Sequence, residues 1–347
     1  MSAPPRISIC IVTGRRLALL DACLASIEAQ VDPPAHEVLV CSDGDREVAD
    51  AVAARRPDAR VCLVDRALPG AARNLLVEEA RGDLLFFVDD DATLEPHALA
   101  LLVELADAHP EAGVFGGPND TPPGSARFEV VQGAALASLL GSGPVRRRYG
   151  AHPAGPADER FFILCNLAVR REVMVPFAPE LVCAEENAVL SEMSRRGVAM
   201  YYDPRLVAYH HRRPTLGGFA RQMFKYGHGR GQLTRREPQT LRPAYLVPSL
   251  MILYALVGPV LAVTVHPVAL LPLAAYAVGI VLEAAWIAMT LKRLRDLALA
   301  IVLLVVLHVG YGAGVLRGLL LASPPPARPE VLAWSTTGQA SSTDIGR

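Results

Sequence analysis

The six cysteines of this 347-residue sequence (Cys10, Cys23, Cys41, Cys62, Cys165 and Cys183) include no CxxC pair. That absence excludes a zinc ribbon and a redox dithiol. All six precede the most apolar third of the chain, and four sit in the apolar surroundings typical of buried free thiols. A reducing compartment without a disulfide framework is expected. No GxGxxG follows the first strand pattern, which argues against a dinucleotide-dependent dehydrogenase. Thr13-Gly14-Arg15-Arg16 is likewise a poor match to the glycine-rich loop and lysine of a nucleotidyltransferase. There is no internal repeat, and the net charge of -1 says nothing about partners. Met1 to Arg6 runs directly into a strand pattern, so no signal peptide is expected.

What the sequence does have is alternation. Apolar runs at Ile7–Val12, Glu37–Cys41, Ala59–Val64 and Leu84–Val88 read as buried strands, and helical patterns separate them. This predicts a mostly parallel α/β sheet with crossover helices. The run LLFFVDDD (Leu84 to Asp91) takes five apolar residues straight into three aspartates. Carboxylates at the C-terminal end of a buried strand sit where open α/β sheets bind ligands. Their mutual repulsion persists mainly where a cation or a phosphate-bearing partner offsets it. Further on, Phe161–Val169 reads as a buried strand carrying Asn166. Ser138–Pro156, rich in Gly, Pro and Arg, reads as a mobile surface loop whose Arg146-Arg147-Arg148 run is solvated.

The last third is different. Tyr245–Val265 carries no charge, Val268–Leu291 only Glu283, and Leu297–Leu321 only Arg317. About 20 residues cross the hydrocarbon core, so three transmembrane helices are predicted, near 245–265, 268–291 and 297–321. Between Arg205 and Arg242 stand nine Lys/Arg and one acid, Glu237, a composition suited to an anionic membrane face. With Lys292, Arg293 and Arg295 it places the soluble part on the cytoplasmic side. The domains expected are 1–212 catalytic, 213–244 basic and interfacial, 245–321 transmembrane, and 322–347 a disordered tail on the far side.

Asp43, Asp89, Asp91 and the pair Glu185-Glu186 all fall at junctions of strand, loop and helix. The segments ISICIVTGRR, CSDGD, GAARNLLVEEARGDLLFFVDDDATLEP, CNLAVRREV and AEENAVLSEMSRRG occur in an order that resembles the inverting glycosyltransferases of family 2, membrane-bound exopolysaccharide or glycolipid type. The resemblance runs from about Ile7 to His211 and implies a GT-A fold, a nucleotide-sugar donor, a lipid-linked or polysaccharide acceptor, membrane lipids as partners and no nucleic acid. It implies Mg²⁺ or Mn²⁺ on Asp89 and Asp91, with Asp91 the direct ligand and Asp90 beside them at the donor. Asp43 would contact the base, and Arg73 the diphosphate. Glu186 or Glu185 would be the catalytic base, from a pair that usually reads Glu-Asp in this family. Asn166 would face the acceptor. His210 or His211 would approach the metal or diphosphate, with Arg221, Lys225 and Arg230 of QMFKYGHGR at the interface. The QxxRW motif of processive members is absent. A nucleotidyltransferase of similar fold and an inactive nucleotide-sugar-binding scaffold are the alternatives.

Overall fold

A computed structural model describes residues 4–14, 16–321 and 329–335. The first half alternates as β1 (Ile7–Thr13), α1 (Leu17–Glu28), β2 (His36–Asp43), α2 (Arg46–Arg55), β3 (Arg60–Val64), α3 (Pro69–Glu79) and β4 (Leu84–Asp89). There follow β5 (Ala92–Leu94), α4 (Ala98–Ala108), β6 (Ala112–Gly116), β7 (Asn119–Asp120), α5 (Arg127–Ala137) and the short α6 (Leu139–Ser142). Then come β8 (Gly155–Ala157), β9 (Leu167–Arg170), α7 (Glu185–Arg195), β10 (Ala199–Tyr202) and β11 (Ala208–His210). The chain ends in α8 (Leu216–Arg236), α9 (Val247–Thr264), α10 (Leu271–Thr290), α11 (Leu297–Leu320) and β12 (Val331–Ser335).

Local chemistry explains these elements. The helix α1 buries Leu20, Cys23, Leu24 and Ile27, a spacing that lays one apolar stripe on the sheet. Asp45 caps α2 by accepting from the Val48 amide at 3.1 Å. Pro69 opens α3, where a missing amide hydrogen costs nothing. Every residue from Leu84 to Val88 in β4 is buried, because helices cover both faces of the sheet.

The main sheet runs β12-β3-β2-β1-β4-β9-β6-β10-β8. The strands β3, β2, β1 and β4 are parallel. Thr13, Asp43 and Asp89 therefore emerge along one edge, at the strands' C-terminal ends. A second sheet, β5-β11-β7, stands beside that edge. Its register sets His210 opposite Ala92 and so next to Asp91.

The three C-terminal helices α9, α10 and α11 are long and apolar enough to cross a membrane. They differ in cover: 39% of the most apolar window of α11 is buried, against 11% in each of the other two. The helix α11 lies along α8 at a seam of small residues. A Cβ on Gly227 would come within 2.0 Å of the Tyr311 carbonyl oxygen, and one on Gly314 within 2.2 Å of that of Phe224. Only glycine allows backbones this close.

Two expectations change. Residues 138–156 are not an open loop: α6, a 3₁₀ turn over Gly143–Arg148 and β8 give them regular backbone, and Arg148 is buried. The expected irregular tail also departs at 331–335, where VLAWS pairs antiparallel with β3. The β-branched and aromatic residues of that segment suit a strand, and β3 offers it an edge. The remainder of 322–347, apart from Pro329 and Glu330, lies outside the described residues.

Candidate active site

The acids at the end of β4 sit inside a cluster of cations. Arg16, from the β1–α1 turn, pairs with both Asp90 and Asp91. Arg213 reaches Asp91 at 3.2 Å, and His210 Nε2 reaches it at 2.9 Å. Arg73 bridges Asp89 at 2.9 Å and Glu185 at 2.7 Å. Burial alone would raise the Asp91 carboxyl, but His210, Arg16 and Arg213 more than reverse this and hold it well below the usual range. Asp90 behaves oppositely. Burial pushes it up to about 6, with Arg16 opposing, Asp91 adding to the rise and the Thr13 hydroxyl donating to it at 2.8 Å.

Ligand atoms of Asp89, Asp91 and His210 lie within 4.8 Å of one another. Two carboxylates and an imidazole form a donor set that divalent Mn²⁺ accepts readily and Mg²⁺ tolerates. His210 Nδ1 is buried with no hydrogen-bond partner among the described residues, an orphaned donor or acceptor in a polar cluster. These residues fit a divalent cation.

The glutamate pair occupies the first turn of α7. Ala184, just before it, adopts a left-handed backbone (φ 67°), a strained conformation for a residue with a Cβ. Glu185 and Glu186 follow it, both buried at the positive end of the helix. Their partners divide the roles. Glu185, raised by burial against the pull of Arg73, is tied to the arginine that also holds Asp89. Glu186 faces away from that arginine. It accepts from Asn187 Nδ2 at 2.8 Å and lies 3.4 Å from Arg148 Nη1. Asn187 Oδ1 in turn accepts from Arg148 at 2.6 Å and Arg230 at 2.8 Å.

Both glutamates open into a cavity of about 510 Å³ that Arg73, Asp89 and His210 also line. Its other walls are mostly apolar: Leu136, Leu139, Leu140 and Val145 from α5 and the segment after it, and Val247, Ala275 and Leu307 from the C-terminal helices. His308 fixes that wall. Its Nε2–H donates to the Leu140 carbonyl at 2.6 Å, leaving Nδ1 to accept from the Tyr276 hydroxyl at 2.9 Å.

Of the residues named from sequence, Arg73, Asp89, Asp90, Asp91, Glu185, Glu186, His210 and Arg230 converge here. Asp43 stands at the end of β2, accepting from the Ala67 amide at 2.8 Å. Among the described residues His211 meets the site through its amide, which donates to the Asp91 carbonyl at 2.9 Å. Arg221 and Lys225 are exposed on α8. Asn166 is not on the cavity wall: its amide is spent on the carbonyls of Leu206 and Pro118 at 2.6 and 3.3 Å. Sequence reasoning missed Arg16, Arg148, Asn187 and Arg213. Asn187 directly follows the glutamates, and that adjacency was the one available signal.

A mostly parallel sheet with acids at its strand ends, beside a cavity holding a carboxylate pair, is the arrangement of a GT-A-type domain. Residues 8–174 match Glycosyl transferase family 2, and the match is confined to this domain. Among solved structures it is similar to a mannosyltransferase, PcManGT from Pyrobaculum calidifontis, in complex with GDP-Man and Mn2+. That similarity has a TM-score of 0.57 and 18% identity, over 92% of this chain and 88% of the other. It is also similar to S. aureus TarS 1-349 in complex with UDP, with a TM-score of 0.47 and 17% identity. There the chain spans 65% of the TarS fragment. No curated protein matches the sequence.

Proposed function

We propose that this protein transfers a sugar from a nucleotide-diphosphate donor to a lipid-linked acceptor, with inversion, at the cytoplasmic face of a membrane. One observation carries the reading: Glu186 lines the same cavity as Asp89 and His210, two members of the Asp89–Asp91–His210 cluster, and the cavity's far wall is built by the apolar C-terminal helices. A polysaccharide acceptor has less use for such a wall. The Pyrobaculum mannosyltransferase, which shares the fold, was captured with a GDP-sugar and Mn²⁺, and this supports the donor class.

In this reading Asp89, Asp91 and His210 would hold a divalent cation, which would neutralise charge on the diphosphate. Arg16, Arg73 and Arg213 surround the same carboxylates and supply further positive charge for phosphate oxygens. Asp43 contacts the base. Glu186 takes the proton of the acceptor hydroxyl as its oxygen bonds to the anomeric carbon, and the bond to the diphosphate breaks with its electrons. The nucleoside diphosphate departs on the cation-rich side. Arg148 and Arg230 are buried near Glu186, and among the described residues no carboxylate pairs with Arg230. Their charge suits an anionic group on the acceptor lipid.

The test is a donor screen with purified protein in lipid, Mg²⁺ or Mn²⁺, and mass analysis of extracted glycolipid. A sugar added to lipid only with metal supports the proposal. Transfer unaffected by Asp91→Ala contradicts the metal assignment.

A further inference from the structure

The C-terminal strand carries a consequence for how the chain meets the membrane. In β12, Val331, Ala333, Trp334 and Ser335 pair with Val64, Leu63, Cys62 and Val61 of β3. The Glu330 carbonyl accepts from the Asp65 amide at 3.1 Å. Trp334 packs on the core of the main sheet, with the Arg60 guanidinium 5.5 Å from its ring centre. β12 is thus on the same side of any bilayer as the catalytic sheet.

Leu321, at the end of α11, is ten residues from Val331. Fully extended, ten residues reach about 33–36 Å. A bilayer with its headgroups is about 40–45 Å thick. The link is too short to recross it, so Leu321 also lies on the catalytic side. The number of crossings between β11 and β12 is therefore even, although three helices have the length to cross.

The packing identifies the helix that does not. At its N-terminal end Asp296 pairs with Arg127, the first residue of α5. At its other end Gly318 abuts the His228 carbonyl, in the half of α8 whose Leu233 packs with Ala178 and Leu181 of the catalytic domain. Both ends of α11 thus rest against the soluble domain. Between them the helix runs alongside α8, Leu303 and Leu307 clustering with Phe219 and Met223. The large apolar residues it leaves exposed, Val302, Val305, Val309 and Leu320, follow a spacing that gives one lipid-facing flank.

We propose that only the α9–α10 hairpin enters the bilayer, that α11 lies in the membrane surface as a strap over α8, and that β12 is an integral strand of the catalytic domain. This arrangement holds whichever reaction the site performs.

Leu332 is exposed on β12, and Asp50 is exposed on α2. Leu332→Cys and Asp50→Cys in the full chain, probed with a membrane-impermeant maleimide in vesicles of each orientation, test the proposal. The unsubstituted protein is the background, since five of its cysteines are buried and Cys183 is half-buried. Both positions are expected to react from the same face. Reaction of Leu332→Cys from the face opposite Asp50→Cys overturns the proposal. Should Leu332→Cys disturb the strand, an epitope fused after Arg347 gives a second reading: antibody access from the Asp50 side supports the arrangement, and access from the other side overturns it.

Discussion

Asn187 holds Glu186 by a hydrogen bond of 2.8 Å, and its other amide atom gathers Arg148 and Arg230. One side chain thus orients the carboxylate and positions the two guanidiniums nearest to it. Glu185, one residue earlier, belongs to a different network through Arg73. The two adjacent glutamates are separated by partners rather than by distance. Glu186→Gln is expected to lower kcat about 10²- to 10⁴-fold with little change in donor KM. Asn187→Ala, which only frees the carboxylate, should cost less. Steady-state kinetics on both variants checks the order, and equal losses in Glu185→Gln and Glu186→Gln would refute the division of roles.

Metal removal supplies a second prediction. Chelation should abolish transfer, and Mn²⁺ should restore it. His210→Ala should raise the metal concentration needed for half-maximal activity by roughly ten- to a hundredfold, the scale for disturbed metal-site partners. Titration of metal against activity or donor binding reads this directly. An unchanged metal requirement in His210→Ala would remove the imidazole from the site.

The sequence displayed the frame of this site more fully than its contents. Alternating apolar runs announced β1 to β4, and the aspartates after Val88 marked the ligand edge, because strand ends and charge are local properties. Arg16, Arg148 and Arg213 were invisible for the opposite reason. Each meets its carboxylate across 38 to 122 residues of chain, as Arg148 does with Glu186 and Arg213 with Asp91. A run of three arginines among glycines and prolines resembles a solvated loop until the fold buries its last member. Asn166, read from sequence as part of a buried strand, ends a 3₁₀ turn just before β9, where its amide nitrogen serves two carbonyls of neighbouring loops. The pairing of 331–335 with β3 was hidden because an edge strand has no signal apart from its partner.

Asp90 gives the protein a pH signature. Its carboxyl, near 6 in the folded chain against 3.8 unperturbed, keeps a proton that the unfolded chain releases. The folded state therefore binds more protons between about pH 4 and 6, and stability falls as pH rises through that window. A two-unit shift amounts to about 3 kcal/mol at most. Asp91, held low, acts in the other direction, and its contribution is lost only as pH falls below about 4. In chelator, the unfolding temperature of the unsubstituted protein should drop between pH 4 and 6.5 relative to Asp90→Asn. Parallel profiles would show that Asp90 ionises normally.

The seam between α8 and α11 should tolerate no side chain. Gly314→Leu places atoms on the Phe224 backbone and should cost about 3 kcal/mol or more. Gly279→Ala, whose Cβ would meet only Leu140 at 3.5 Å, should be close to neutral. Thermal unfolding in detergent compares the two. Similar losses in both would mean that the close approach does not hold the helices together.

The proposed chemistry is tested most directly by following labelled sugar. Purified protein in lipid is offered a panel of nucleotide-diphosphate sugars with Mn²⁺, and the organic extract is analysed for labelled lipid. We expect at least one donor to label the lipid fraction, with the signal lost in Glu186→Gln and in chelator. Label that persists in both, or that appears only in water-soluble polymer, would contradict the account.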